Sequence, residues 1–319
     1  MGDHRRRQPV SQMGGVVENS HRFHLGTRVT GAPPHQRRRR LLAVLRLVRI
    51  ENCLLGVATT VVGYASARSG DERSLNEVVI VVIVGLGVAF GNVLNDLVDE
   101  TGDRIAKAGR PIVSGSISHR QARIAVVGIP LLMLILGALM ATRLLPFIVA
   151  VLLIATLYSV RLKGVPFVGN VSVGVLAGST FLFGALARGH PTKTTLVGTI
   201  LITVAFTCFE LAKTIEDADA DAAVGLTTAA HLLGHTGQRR AILAAALAHL
   251  AAAIGLGMAF RPGLAYWLVL TPVLPLVAYG VAARRTPPER HPIQPFIRVS
   301  KALWCVGLLG LLSTHTGFR

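Results

Sequence analysis

Past residue 40 the sequence is dominated by apolar runs of bilayer-crossing length, about 20 residues each, separated by short polar connections. Runs this long, repeated this often, exclude an ordinary water-soluble domain. In hydrocarbon every backbone polar group must be satisfied internally, so segments of this length cross as helices. The runs predict spans near 41–67, 76–97, 123–141, 143–160, 165–187, 194–213, 239–260, 264–284 and 297–317. The expected fold is therefore all-α, a polytopic membrane bundle of nine transmembrane helices over residues 41–319. Hydrophobic residues at 51% against charged residues at 15% agree with this reading. Connections this short leave no room for a large domain outside the membrane.

Residues 1–40 are different. They carry nine arginines against Asp3 and Glu18, with scattered Gly, Pro and Ser, and bury too little apolar surface to offset the entropy of ordering. The segment is expected to be a disordered basic cytoplasmic tail without a secretory h-region. The formal net charge of +17 would suggest nucleic acid in a soluble protein. Here it follows topology instead, because cationic loops stay on the cytoplasmic side. If the tail is inside, the opposite loops hold only Arg68, Arg73, Arg143, Arg188, Lys193 and Arg261, and the inner connections hold more than twice as many. The expectation is a multi-pass protein of the cell membrane with a cytoplasmic N-terminus, a lipid bilayer as partner and no nucleic acid. Cys53, Cys208 and Cys305, odd in number and set in apolar stretches, read as core residues rather than as a disulfide or zinc framework. His231, His235 and His249 lack the acidic partner a zinc motif would need.

Acidic residues are few, and nine of the sixteen fall in two short stretches. The first holds Asp96, Asp99, Glu100 and Asp103; the second holds Glu210, Glu216, Asp217, Asp219 and Asp221. Both lie at cytoplasmic ends of expected spans. Residues four apart lie on one helical face, which aligns the oxygens of Asn95, Asp99 and Asp103, and separately those of Asp217 and Asp221. Like charges at that spacing destabilise a helix unless something cationic meets them. Carboxylate and amide oxygens suit Mg²⁺, which keeps waters and takes substrate phosphates among its ligands. Basic residues on the same side, Lys107, Arg110, Arg161, Lys163 and Lys213, would hold a diphosphate jointly with the metal. The plainer alternative is a set of solvated or mutually paired charges at the membrane edge.

These residues carry a family resemblance. The stretch Asn95 to Gly115, NDLVDETGDRIAKAGRPIVSG, resembles the first signature of the UbiA superfamily of intramembrane prenyltransferases. Glu210 to Thr228, ELAKTIEDADADAAVGLTT, is similar to its second, and Leu157 to Asn170, LYSVRLKGVPFVGN, to the segment between them. Arg49-Ile50-Glu51-Asn52 resembles an Arg-Pro-x-Asn pattern in the first span. The likeness is nearest to the digeranylgeranylglyceryl phosphate synthase-like branch. It implies that Asn95, Asp99, Asp103, Asp217 and Asp221 bind two Mg²⁺ ions bridging a prenyl diphosphate. It also implies that Arg110, Lys163 and Lys213 contact the phosphates, and that Asn52, Tyr158 and Asn170 line the pocket. The sequence departs from the pattern at Ile50, Ala106, Phe209 and Thr214, which bears on the acceptor more than on the metal ligands.

The expected reaction is ionisation of an allylic diphosphate, with Asp99, Asp103, Asp217 and Asp221 acting through the metal, and capture of the allylic cation by a lipophilic acceptor. That acceptor is an aromatic ring or a glycerol phosphate-type alcohol. Capture requires a water-poor chamber, for which Phe90, Val173, Leu176, Phe181, Leu182 and Phe206 are candidate walls, with Phe183, Phe209 and Tyr158 as further ring faces. A terpene cyclase on the same scaffold is the alternative enzyme. A transporter is a third reading, disfavoured because the acids sit at one membrane face rather than near the midplane.

Overall fold

The computed structural model describes residues 34–69, 76–223, 225, 227–260, 263–282 and 292–317. Eleven helices are named here in chain order: α1 Pro34–Leu47, α2 Ile50–Ser66, α3 Glu77–Val98, α4 Glu100–Ala106, α5 His119–Met140, α6 Leu145–Val160, α7 Val168–Arg188, α8 Lys193–Ala223, α9 Ala229–Phe260, α10 Leu274–Ala282 and α11 Gln294–Gly317. A 3₁₀ stretch, Leu264–Val273, leads into α10. Among the described residues eight helices are long and apolar enough to cross a membrane; α2, at 17 residues, sits at the lower edge of spanning length. The protein is an integral, multi-pass membrane bundle. α5 shows what that environment requires, since Ile124, Val127, Leu131 and Leu139 point outward where only lipid can accept them.

Local signals explain several boundaries. The side chain of Asn76 accepts from Val78 N at 2.9 Å and starts α3. Ser118 and Gln121 form a capping box on α5, and a proline in the first turn of α6 lacks the N–H that would be unpaired there.

Four boundaries differ from expectation, among them the start of α9, which lies at Ala229 rather than at 239. The span expected over 41–67 is broken, because Arg49 adopts a left-handed conformation (φ 50, ψ 67) between α1 and α2. The carbonyl of Val48, freed from the helical ladder, accepts from Asn92 Nδ2 at 2.9 Å and from the Cys53 thiol at 3.3 Å. α1 begins at Pro34, so the boundary expected at residue 40 falls within a helix; residues 1–33 of the expected tail lie outside the described residues. α8 continues to Ala223, well past 213. Cys53 and Cys208 are buried, but Cys305 is exposed on α11 and is not the core residue expected.

α7 is the central helix. A Cβ on Gly184 would lie 2.0 Å from Thr60 O of α2, and one on Gly63 would lie 2.0 Å from Phe181 O. On its other side, Cβ atoms on Gly174 and Gly178 would each meet a threonine hydroxyl of α8, Thr207 and Thr203, at 2.2 Å. Small residues thus let α2, α7 and α8 approach backbone to backbone, as helices in lipid commonly do. Two apolar cores flank this spine. One, around Tyr266, Ile242 and Phe181, joins α8 to α11; the other, around Ile83, Ile148 and Phe183, joins α3, α5, α6 and α7. The cavity described next lies between them.

Candidate active site

The first acidic stretch sits on a helix break. α3 ends at Val98, Asp99 is the hinge residue, and α4 begins at Glu100. Backbone bonds Asp99 N→Asn95 O and Asp103 N→Asp99 O, each 2.9 Å, carry the chain through the break. Asn95 and Asp99 stay together, with Asn95 Nδ2 donating to Asp99 Oδ2 at 2.8 Å. The acids nevertheless find separate partners. Asp96, 3% exposed, accepts from Arg49 at 2.7 Å and Arg110 at 2.9 Å. Asp99 pairs with Lys163, and Asp103 with Arg110. Glu100 takes Arg104 at 2.5 Å and His119 at 3.0 Å on the outer surface.

The second stretch lies on unbroken α8, so Glu210, Lys213, Asp217 and Asp221 follow one another on a single helix. Lys213 donates to Glu210 at 2.9 Å. Lys107, just after α4, reaches across to Asp217 at 2.7 Å and so joins the two acidic stretches directly. Asp221 makes no ion pair among the described residues, although it is 8% exposed. Burial pushes the carboxyls of both Asp103 and Asp221 up from the usual carboxylate range, against the pull of Arg110 on the first and Lys163 on the second.

Two non-glycine residues with positive φ, Arg49 and Phe167 (φ 62), flank this region. Strain of that kind, on the order of 1–3 kcal/mol each, persists where surrounding contacts over-determine the backbone. At Arg49 the contact is the pair with Asp96. Lys163 sits in a 3₁₀ turn, Leu162–Gly164, against which α7 packs at Gly169, where a Cβ would lie 2.8 Å from Leu162 O.

One cavity of about 340 Å³ gathers most of these side chains. Arg49, Asn52, Asn95, Asp99, Arg110, Tyr158, Lys163, Asn170, Lys213, Asp217 and Asp221 all line it. Asp103 does not; it lines an adjoining cavity of about 260 Å³ together with Asp99, Lys163, Asp217 and Asp221. Beyond the charged mouth the larger cavity continues into the bundle between apolar and aromatic walls. Of the walls expected from sequence, Val173, Leu176, Phe206, Phe183 and Tyr158 line it. Phe90, Phe181, Leu182 and Phe209 do not: Phe90 and Phe181 are buried in the two cores, and Phe209 packs beside Phe206 at 5.6 Å. Residues that sequence reasoning missed complete the wall. Phe147, Met133 and Trp304 are lining residues, and Trp304 meets Phe206 edge-on at 4.9 Å while its Nε1 reaches Thr59 Oγ1 at 3.4 Å. Nothing in their local sequence separates them from lipid-facing residues. Thr214, one of the departures from the family pattern, lines the cavity and accepts from Gln238 at 2.8 Å.

The donor set suits a hard cation. Asn95 Oδ1 is buried without a hydrogen-bond partner, on a residue lining the cavity that Asp99, Asp217 and Asp221 also line. Among the described residues no three His, Cys, Asp or Glu side chains converge closely enough to hold an ion unaided. Lysines separate the carboxylates, a spacing compatible with an ion that draws part of its shell from water and phosphate oxygens.

A helical membrane bundle whose acids and bases converge at the mouth of an apolar chamber defines an intramembrane transferase working on an anionic lipid-like substrate. The chain belongs to the UbiA prenyltransferase family, whose model matches residues 56–307, and it is a prenyltransferase. It is 33% identical over 240 residues to a digeranylgeranylglyceryl phosphate synthase of Methanopyrus kandleri, an alignment covering 74% of this chain and 85% of that one. Its fold matches a UbiA homologue from Aeropyrum pernix K1 at a TM-score of 0.69 and 22% identity, covering 82% of this chain and 97% of that one. A UbiA homologue from Archaeoglobus fulgidus bound to GPP and Mg²⁺ matches at 0.62 and 17% identity, with 84% and 99% covered.

Proposed function

We propose that the cavity binds a Mg²⁺–prenyl diphosphate and passes the prenyl group to a lipophilic acceptor, an alcohol of the glycerol phosphate type. The observation that carries this reading is the meeting of both acidic stretches around one cavity whose depth is apolar. Asn95, Asp99, Asp217 and Asp221, with Asp103 from the adjoining cavity, would hold the metal. When bound, Mg²⁺ supplies Lewis-acid neutralisation of the charge that develops on the departing pyrophosphate. Arg110, Lys163 and Lys213 bring fixed positive charge to the same oxygens, and preorganised charge in a low-dielectric site is worth far more than in water. Asn52, Tyr158 and Asn170 shape the mouth. The walls below it exclude water, which would otherwise compete with the acceptor for the allylic cation. The likeness to the digeranylgeranylglyceryl phosphate synthase of Methanopyrus kandleri supports a glycerol phosphate-type acceptor, and the Archaeoglobus fulgidus homologue bound to GPP and Mg²⁺ supports a prenyl diphosphate with that metal.

Three further parts belong to this proposal. The mouth and N-terminus face the cytoplasm, as the distribution of Lys and Arg favours. The catalytic unit lies within residues 41–319, and the arginine-rich residues 1–40, the last of which belong to α1, are accessory to it. The test is incubation of purified protein with a prenyl diphosphate and Mg²⁺, with and without a monoalkylglycerol phosphate. Pyrophosphate release and a prenylated lipid only when acceptor is present are expected. A cyclic hydrocarbon formed without acceptor would establish the cyclase alternative. Unchanged pyrophosphate release in Asp99→Ala and Asp217→Ala would remove the site assignment.

A further inference from the structure

Every cation that lines the larger cavity meets a carboxylate: Arg49 and Arg110 meet Asp96, Lys107 meets Asp217, Lys163 meets Asp99, and Lys213 meets Glu210. α1 is built differently. Its sequence, PHQRRRRLLAVLRL, holds no acidic residue. Arg38, Arg39, Arg40 and Arg46 are exposed, and among the described residues none of them makes an ion pair. Like charges this close repel one another, and the field they create draws anions from outside the protein.

The apolar residues of α1 say where those anions lie. Ala43 and Leu47, one turn apart, are buried with Val93 of α3, Ile112 and Ile117 of the connection before α5, and Ala122 in the first turn of α5. This packing holds α1 at the same end of the bundle as the acidic stretches. Leu41 and Leu45 fall on the opposite side of the helix, since each residue turns it by about 100°. Leu41 is 58% exposed, and Leu42 and Val44 are each 44% exposed. A helix with a packed inner face, an apolar outer face and exposed arginines suits neither water nor hydrocarbon alone. It suits the head-group layer, where the leucines reach acyl chains and the arginine side chains stretch to the phosphates. The left-handed Arg49 separates α1 from α2, so α1 does not have to follow the span behind it. We propose that α1 is a binding surface for anionic phospholipid, with Arg38, Arg39, Arg40 and Arg46 pairing with net-negative head groups while Leu41, Val44 and Leu45 enter the acyl layer. Each basic side chain near such a surface adds to the attraction, so the surface selects anionic over zwitterionic lipid. It lies outside the cavity and does not depend on which substrates the cavity takes.

The test is lipid binding to the full chain in mixed micelles, titrated with phosphatidylglycerol and with phosphatidylcholine that carry the same fluorescent tail. Unmodified protein is expected to prefer phosphatidylglycerol by at least about tenfold at low ionic strength, and the preference should shrink as salt is raised. The combined variant Arg38→Gln, Arg39→Gln, Arg40→Gln should lose most of it. The combined variant Arg120→Gln, Arg123→Gln, Arg298→Gln removes the same charge from exposed positions on other helices and should keep it. Leu41→Gln with Val44→Gln should weaken binding of both lipids. All these side chains are exposed, so folding is not at stake, and an unchanged size-exclusion profile verifies that. Excess inorganic phosphate, compared with chloride at matched ionic strength, should leave the lipid bound. Equal affinity of the unmodified protein for the two lipids overturns the proposal. So does an equal loss in the two arginine variants, which would reduce the effect to net charge, and so does displacement by inorganic phosphate, which would make α1 a site for the free ion.

Discussion

The two acidic stretches bring similar charge to the same place by opposite means. The first is laid across the break between α3 and α4, where its acids diverge: Asp96 inward to Arg49 and Arg110, Asp99 to Lys163, Asp103 to Arg110, Glu100 outward to Arg104 and His119. The second runs along unbroken α8, where Asp217 and Asp221 lie one turn apart, one bridged by Lys107 and the other without an ion pair among the described residues. One stretch thus doubles as a structural clamp, tying the α1–α2 break and the loop after α4 to α3. The other is held in place by its helix, which brings Asp217 and Asp221 to the cavity. Removing Asp96 should therefore cost stability, whereas removing Asp217 or Asp221 should cost chemistry.

The largest effect expected is on turnover. Asp217→Ala removes a proposed metal ligand and leaves Lys107 without its partner; Mg²⁺-dependent pyrophosphate release should fall by about a thousandfold or more, since metal stabilisation of developing charge contributes several kcal/mol. Asp96→Ala should show itself mainly in unfolding. It leaves two arginines facing an emptied buried site, a change that costs about 3–5 kcal/mol, read as a lower melting temperature in detergent. An Asp96→Ala protein as stable as its parent would erase the contrast between the stretches. Asp221→Asn sharpens it from the other side. The amide is nearly isosteric and removes the cost of burying a carboxylate, so stability should hold or rise by about 1 kcal/mol while Mg²⁺-dependent turnover is lost; parallel loss of both would make Asp221 structural. The smallest effect belongs to Glu100→Gln. Its partners lie on the surface, so neither melting temperature nor turnover should change measurably.

Much of this was legible in the amino-acid sequence, and the failures have physical causes. Long apolar runs locate α3, α5 and α6 because hydrophobic length is a local property of the chain. The two acidic stretches stand out because ionised groups are rare in such a chain. The break at Arg49 carries no glycine or proline to announce it; it is held by an ion pair to a residue 47 positions away. The extension of α8 past residue 213 runs against the rise in charge there. Its acids are met by Lys107 and Lys163 from elsewhere in the chain, a compensation that local propensity does not register. Phe147 and Trp304 could not be told from lipid-facing residues, since in a bilayer both faces of a helix are apolar. Only the packing of distant helices decides which face encloses a cavity.

A gauge is trustworthy only when its scale does not stretch. α7 lends both Asn170 and Phe183 to the cavity, and it is wedged on both flanks by glycines that admit no slack against α2 and α8. The spacing of the residues that α7 contributes to the cavity is fixed by backbone contact rather than by the looser lipid-facing shell.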